Sequence, residues 1–285
     1  SEFIASGYIA NHGTAYKNIH SLKPGHRIII KNKVILKKWW DIPSFKEKDK
    51  PTLENLEEKI ENKILSSVKK RLISDTRMGI FLSGGLDSSL ILAMIKKIGL
   101  PEGFKSYSLG FSEKSYDETG SSSYISSYFG VPNKKIVMEH TDFKNIFFDA
   151  TIKADNLHSN PAMFANYYLA QVASSEIKVA LSGLGGDELF FGYPTYRADI
   201  LADKLSWIPS MPINLTRNLI SIFKSSHEKL SFHYKFRKFL EGLKYDKHKR
   251  HYYWRTVFNE KEEKILESKF FNNTNPYLPY NDAFN

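Results

Sequence analysis

Two short apolar runs in this chain end in the same way, and that repetition constrains the fold more than anything else. Met78 to Leu82 runs into Ser83-Gly84-Gly85, and Ile177 to Leu181 runs into Ser182-Gly183 about a hundred residues later. A run of this length, apolar throughout and closed by glycine, reads as a strand buried on both faces. Ser88 to Ile98 then reads as a helix that is apolar nearly all round. Between the two runs the pattern predicts strands at Lys105 to Gly110 and Lys135 to Met138. It predicts helices near Glu118 to Phe129, Phe143 to Lys153 and Met163 to Ser174. Strands alternating with helices imply an α/β fold, a parallel sheet flanked by helices. The first strand leads straight into a glycine turn and a helix, which is where such sheets bind ligands.

The flanks read differently. Lys23-Pro24-Gly25-His26 signals a turn, and Arg27 to Ile30 and Lys33 to Leu36 flank Lys31-Asn32 as a short hairpin. A charged stretch bounded by Pro43 and Pro51 reads as a linker. Thr52 is placed to cap a helix whose apolar residues Leu53, Leu56, Ile60, Ile64, Val68 and Leu72 step by three or four. Beyond Gly192 the chain reads as helical, aromatic and basic. The expected organisation is a β-rich segment at 1–42, a linker at 43–51 and an α/β domain at 52–285 with a helical C-terminal part.

Composition removes several chemistries. There is no cysteine in the 285 residues, which excludes disulfides, thiolate metal sites and cysteine nucleophiles. The nine histidines are scattered without metal-ligand spacing. A net charge of +10 admits a nucleic-acid partner, but a Lys- and Asn-rich solvated surface around a polyphosphate site accounts for it more simply. No apolar run reaches eighteen residues and the first residues do not read as a signal peptide, so the expectation is a cytoplasmic protein with no membrane partner.

The first loop, Ser83-Gly84-Gly85-Leu86-Asp87-Ser88-Ser89, suits a phosphate. Its glycines let backbone N–H groups approach phosphate oxygens without Cβ interference, and the following helix adds its positive end. The hydroxyls of Ser83, Ser88 and Ser89 are further candidate donors. Asp87 would repel bare phosphate, so it makes sense with Mg²⁺ between the two. The loop lacks the lysine of the nucleoside-triphosphatase loop and the glycine spacing of the dinucleotide fingerprint. It resembles the Ser-Gly-Gly-x-Asp-Ser signature of enzymes that cleave ATP between the α and β phosphates. The second loop, Ser182-Gly183-Leu184-Gly185-Gly186-Asp187-Glu188, repeats this logic and closes with Gly192-Tyr193. Two such loops in one sheet face each other across a crevice, with Asp87 and Asp187 both serving Mg²⁺-pyrophosphate.

The two loops, with Tyr107-Ser108-Leu109-Gly110-Phe111 and Tyr116-Asp117-Glu118 between them, resemble the asparagine synthase family. Asp155, the Pro161 segment, Lys23 to His26 and Trp39-Trp40 extend the resemblance over roughly residues 14 to 265. The resemblance implies an ATP-pyrophosphatase fold and a two-step ligation, in which a carboxylate attacks the α-phosphate of ATP and ammonia then attacks the acyl-adenylate. It implies that backbone at Leu82, Leu109, Ser182 and Gly183 holds the adenosine, and that Ser83, Gly84, Gly85, Leu86, Asp87 and Ser88 hold the phosphates. Asp87 and Asp187 take the metal or the pyrophosphate, and Leu184, Gly185, Gly186, Glu188 and Asp155 fall on the substrate side.

Three departures accompany the resemblance. The family's glutaminase half needs an N-terminal cysteine, absent here, so ammonia has to come from elsewhere, such as a separate glutaminase domain or subunit. The third position of the second loop, usually acidic in the family, is Leu184. The family's Lys-x-Asp-Arg-x-x-Met helix is not found, and the initial Ser1-Glu2-Phe3 reads as a cut edge. Two rival readings stand beside the ligase. A tRNA-modifying ATP-pyrophosphatase shares the first loop and not the second, and a degenerate nucleotide-binding module would explain Leu184.

Overall fold

A computed structural model describes residues 3, 6–9, 13–43, 55–113, 117–155, 157–205 and 232–257. The chain divides into two compact units. The smaller is Ser1–Lys50, Thr151–Asn160 and Gly242–Asn285, and the larger is Pro51–Ala150 and Pro161–Glu241. The expected cap Thr52, the Tyr116 position, and residues 206–231 and 258–285 lie outside the described residues.

In the smaller unit, β1 (His26–Ile30) and β2 (Val34–Lys38) form the expected antiparallel hairpin. The link between them is three residues, with Ile30 opposite Val34, not the two expected from Lys31-Asn32. Tight two-residue hairpin turns favour glycine and positive φ, and Lys-Asn supplies no glycine. The N-terminal residues pair with the 151–160 segment of the same unit: Tyr8 bridges His158, and the Ser159 N–H donates to the Gly7 carbonyl at 2.8 Å.

The larger unit is a parallel α/β structure, as the strand–helix alternation predicts. Its elements begin with α1 (Leu56–Arg71), β3 (Met78–Phe81), α2 (Leu86–Ile98), β4 (Lys105–Phe111), α3 (Thr119–Tyr128) and β5 (Asn133–Met138). The order continues with α4 (His140–Lys153), α5 (Ala162–Ala173), β6 (Val179–Leu181), α6 (Gly186–Phe190), α7 (Pro194–Lys204) and α8 (Phe232–Gly242). A last helix, α9 (Lys247–Tyr253), belongs to the smaller unit. The four strands run parallel in the order β5-β4-β3-β6.

Alternation along β3 explains why both faces need cover. Met78, Ile80 and Leu82 join Val68 of α1 and Leu92 and Ile95 of α2 in one cluster, with Ile80, Leu92 and Ile95 fully buried. Phe81 turns the other way and packs on the second cluster, formed by Tyr107, Ile136, Leu169, Ala173 and Ile177. Successive strand residues point to opposite faces, so a strand between two helical layers must be apolar throughout. Each large aliphatic side chain buried here contributes roughly 1.5–3 kcal/mol. On β4 the layer shared with α3 is built from small polar groups. Ser106 and Ser108 are buried and donate to Asn133 Oδ1 at 3.1 and 3.2 Å.

The amino ends of β4 and β5 are pinned by one carboxylate. Glu176, just before β6, accepts from Lys105 Nζ at 2.9 Å, from Lys134 Nζ, and from Tyr107 Oη at 3.3 Å. Hydrogen bonds from Lys134 and Lys105 hold its carboxyl down at about 2, against an ordinary 4.5. Burial, with Glu176 adding to it, pushes the Tyr107 phenol up to about 12. A carboxyl depressed in the folded state stabilises above its unfolded value, and the contribution disappears as pH falls toward the folded one. Glu176→Gln is therefore expected to melt below the parent protein at pH 7. The gap should shrink from about pH 4.5 downward and close near pH 2, as followed by thermal denaturation across that range.

Candidate active site

The site begins with a pairing that no local pattern reveals. β3 and β6, distant in sequence, are neighbours in the sheet, with Ile80 beside Leu181. The glycine loops that leave them emerge side by side.

In the first loop Leu82 stays in register, its N–H donating to the Tyr107 carbonyl at 2.8 Å. Gly84 then turns at φ +77°, a conformation that side chains disfavour, and approaches the α3 backbone at Ser122. Gly85 returns to extended geometry, and α2 starts at Leu86, two residues earlier than expected. The early turn at Gly84 brings Leu86 and Asp87 into the first helical turn. The Ser89 N–H closes onto the Gly85 carbonyl at 3.1 Å. The N–H groups of Leu86, Asp87 and Ser88 precede it, in the positions where a helix leaves its amides for an outside acceptor.

Serine hydroxyls brace this loop from within. Ser88 Oγ is buried, lies 3.1 Å from Ser83 Oγ, accepts from the Ser83 N–H at 3.3 Å and reaches the Gly85 carbonyl at 3.3 Å. Ser83 Oγ also accepts from the Gly85 N–H at 3.2 Å. Of the three expected hydroxyl donors, Ser88 is thus engaged inside the loop. Ser89 Oγ is closed off from solvent with no hydrogen-bond partner, while Ser83 is exposed.

The second loop forms a tight turn. The Leu184 N–H donates to Ser182 Oγ at 3.4 Å and the Gly186 N–H to the Gly183 carbonyl at 3.3 Å. Gly185 takes φ +99°, and α6 follows for a single turn and a half before Phe191 ends it at φ +56°. Glu188 accepts from Tyr193 Oη at 2.6 Å. The Asp187 carboxylate lies against Gly192, where an added Cβ would stand 1.9 Å from Oδ1.

The two loops touch at Asp87. A Cβ on Gly183 would stand 2.5 Å from the Ser88 nitrogen and 2.9 Å from the Asp87 carbonyl carbon. A Cβ on Gly186 would stand 2.4 Å from the Asp87 carboxyl carbon. Neither position admits a side chain without movement. Among the described residues, Asp87 and Asp187 take part in no ion pair.

Other expected residues fall as follows. Leu109 packs its side chain into the Tyr107 cluster, leaving only its backbone for a ligand. Leu86 and Leu184 are bare, 83% and 84% exposed. Asp155 belongs to the smaller unit, in a left-handed turn (φ +61°) where its N–H meets the Ile152 carbonyl, and its place on the substrate side remains a proposal. Sequence reasoning missed a cavity of about 180 Å³ at the carboxyl ends of β4 and β5. It is lined by Phe111, Ser112, Glu113, Met138, Glu139, His140 and Phe143. Only the position of Phe111 and Met138 at strand ends hinted at it. Nearby, Asp117 accepts from the Thr119 N–H at 2.9 Å and its hydroxyl at 3.1 Å, which holds that carboxyl below the ordinary range.

Fold and loops together define a class: α/β domains with paired glycine turns at the carboxyl ends of neighbouring parallel strands. Within that class the chain belongs to the asparagine synthase family, whose model (Asparagine synthase) matches residues 59–279. A Methanocaldococcus jannaschii protein provisionally named as a glutamine-hydrolyzing asparagine synthetase is 30% identical over 207 residues, 70% of this chain and 39% of that protein. The glutamine-hydrolyzing asparagine synthetase 1 of Bacillus subtilis is 27% identical over 214 residues, 73% of this chain and 33% of its own. Amidase chyE of Penicillium rubens is 28% identical over 208 residues, 67% and 31% respectively. The chain therefore spans between about a third and two fifths of the length of these relatives.

The glycine contacts predict different costs for two substitutions. Gly183→Ala drives a Cβ into backbone at Ser88 and Asp87, so the loops must separate; its melting temperature should fall by several degrees. Gly186→Ala meets only the end of the Asp87 side chain, which swings aside, so the melting temperature should stay within about 2 °C of the parent, roughly the scale of a surface substitution. Paired thermal melts decide between these outcomes.

Proposed function

We propose that this domain is an ATP-dependent amide-forming ligase that adenylates a carboxylate, releases pyrophosphate and passes the acyl group to ammonia. The observation that carries the reading is the contact of the two glycine loops at Asp87, at the carboxyl ends of adjacent parallel strands. Family membership supports the same activity, as do the names of the two asparagine synthetases among the relatives.

The chemistry follows from that placement. A substrate carboxylate oxygen forms a bond to the α-phosphorus while the bond from that phosphorus to the bridging oxygen breaks, and the electron pair leaves with pyrophosphate. Ammonia then attacks the acyl carbon and loses a proton, and the carbon–oxygen bond to AMP breaks. The amides of Leu86, Asp87 and Ser88 and the loop from Ser83 to Gly85 are positioned to receive phosphate oxygens and to neutralise charge as it develops. Backbone at Leu82, Leu109, Ser182 and Gly183 holds the adenosine, with the cavity beyond Phe111 on the same edge of the sheet.

Among the described residues no three His, Asp or Glu side chains are grouped to hold a metal by themselves. Magnesium held largely by phosphate oxygens needs only one or two carboxylates. Asp87 fits as one such carboxylate, since it lies where the loops meet; Asp187, whose carboxylate lies against Gly192, is proposed as the second. Bound there, Mg²⁺ would offset the charge of the departing pyrophosphate.

Residues 1–42 are, on this reading, the β-rich junction after a glutaminase domain that supplies ammonia, 43–51 the linker, and 52–285 the ligase domain in the cytoplasm. Among the described residues no helix is long and apolar enough to cross a membrane. Asp87→Ala and Asp187→Ala should each lower carboxylate-dependent pyrophosphate release from ATP by a hundredfold or more, the scale of losing a main electrostatic group. Melting temperatures should stay near the parent's. Release at parental rates in both variants would remove the metal assignment.

A further inference from the structure

We infer that Phe191 and Gly192 are positioning residues: the left-handed turn they form fixes where the Asp187 carboxylate stands for a metal-bound polyphosphate. The inference rests on the ligase reading above, with Asp187 as the second carboxylate, and adds what holds that side chain in place.

Among the described residues three besides glycine take a positive φ: Asn18, Asp155 and Phe191. Asparagine and aspartate tolerate this region because a short polar side chain can bond to nearby backbone. Phenylalanine has no such compensation, and a bulky residue persists there only where its surroundings over-determine it. Phe191, at φ +56° and ψ +40°, ends α6 in this conformation.

The surroundings act from two sides. The Asp187 carbonyl accepts from the Phe191 N–H and also from the Gly192 N–H at 3.0 Å. The second of these spans six residues, the closure of a left-handed helix end. On the side-chain side, the Phe191 ring meets Tyr196 edge-on at 5.1 Å, and Tyr196 tilts against Tyr193 at 5.9 Å. Tyr193 Oη in turn donates to Glu188 at 2.6 Å, so the turn is tied back to α6.

What the turn encloses is Asp187. A Cβ on Gly192 would stand 1.9 Å from Asp187 Oδ1 and 3.2 Å from the Asp187 Cα. No side chain fits there unless the carboxylate moves. On the other side of Asp187, Gly186 presses on the Asp87 carboxylate. One short helix thus carries Asp187 between two close glycine contacts. Groups that orient a metal-binding carboxylate typically change metal affinity ten- to a hundredfold when altered. Phe191 and Gly192 act through Asp187 and take no part in bond making.

The test measures how much Mg²⁺ tightens the binding of a nucleotide. α,β-Methylene-ATP, whose α–β bridge resists cleavage, is titrated calorimetrically with Mg²⁺ and again in EDTA, and the ratio of the two affinities is compared. Asp187→Ala and Gly192→Ala should each lower the parental ratio by about tenfold or more. Affinity in EDTA should stay near the parent's in both, whereas a merely structural loss would lower the two affinities together. Phe191→Gly should keep the ratio within about twofold, because glycine takes the same turn freely. Phe191→Val should lower it as Gly192→Ala does, because a β-branched residue does not hold the left-handed conformation. A parental ratio in Gly192→Ala beside a lowered one in Asp187→Ala overturns the inference. So does a fall in Phe191→Gly that matches Gly192→Ala, since the ring and not the turn would then matter. An unchanged ratio in Asp187→Ala removes the metal assignment and this inference while the ligase reading stands. Failure of the folded parent to bind the analogue at all would overturn the ligase reading. If Phe191→Val does not fold, Gly192→Ala against Phe191→Gly decides.

Discussion

Everything proposed for this site depends on one close contact, the backbone of Gly183 and Gly186 against Ser88 and the Asp87 side chain. It arises because β6 adds to the sheet beside β3, so that two turns far apart in the chain leave the same edge together. A Cβ at Gly183 would part them, and one at Gly186 would displace the Asp87 carboxylate. Among the described residues Asp87 and Asp187 take part in no ion pair, which on the proposed reading keeps them available to a cation brought in by a polyphosphate.

Much of the scaffold was legible because burial on two faces leaves a plain trace. Runs such as Met78 to Leu82 have to be apolar at every position when a helical layer lies on each side. The glycine turns were legible for a related reason, since glycine, serine and aspartate in tight succession after a strand suit a tight turn into a helix; their phosphate role belongs to the proposal. Other features left no local trace. The order β5-β4-β3-β6 is a property of crossovers, and nothing in a strand's own residues names its neighbour. Ser88 read as a phosphate donor because its hydroxyl is of the right kind, yet the early start of α2 at Leu86 turns that hydroxyl inward. The three-residue hairpin link likewise follows from which turn the backbone can close, a matter the Lys31-Asn32 pair only partly specifies.

The Glu176 cluster was equally hidden, since Lys105 and Lys134 lie 71 and 42 residues away along the chain. Its place gives the sheet a polarity beyond that of its strands. One end of β4 and β5 is tied by a shared carboxylate and a buried phenol, while the other carries the cavity, the loops and the exposed leucines. On the proposed reading, the Glu176 fastening and the chemistry thus lie at opposite edges of the sheet.

The serine brace of the first loop has a consequence for timing. With Ser83, Gly85 and Ser88 already linked, the turn is set when the domain folds. On the proposed reading a triphosphate would meet amides that are already aimed, so its association would not be slowed or weakened by ordering a floppy segment.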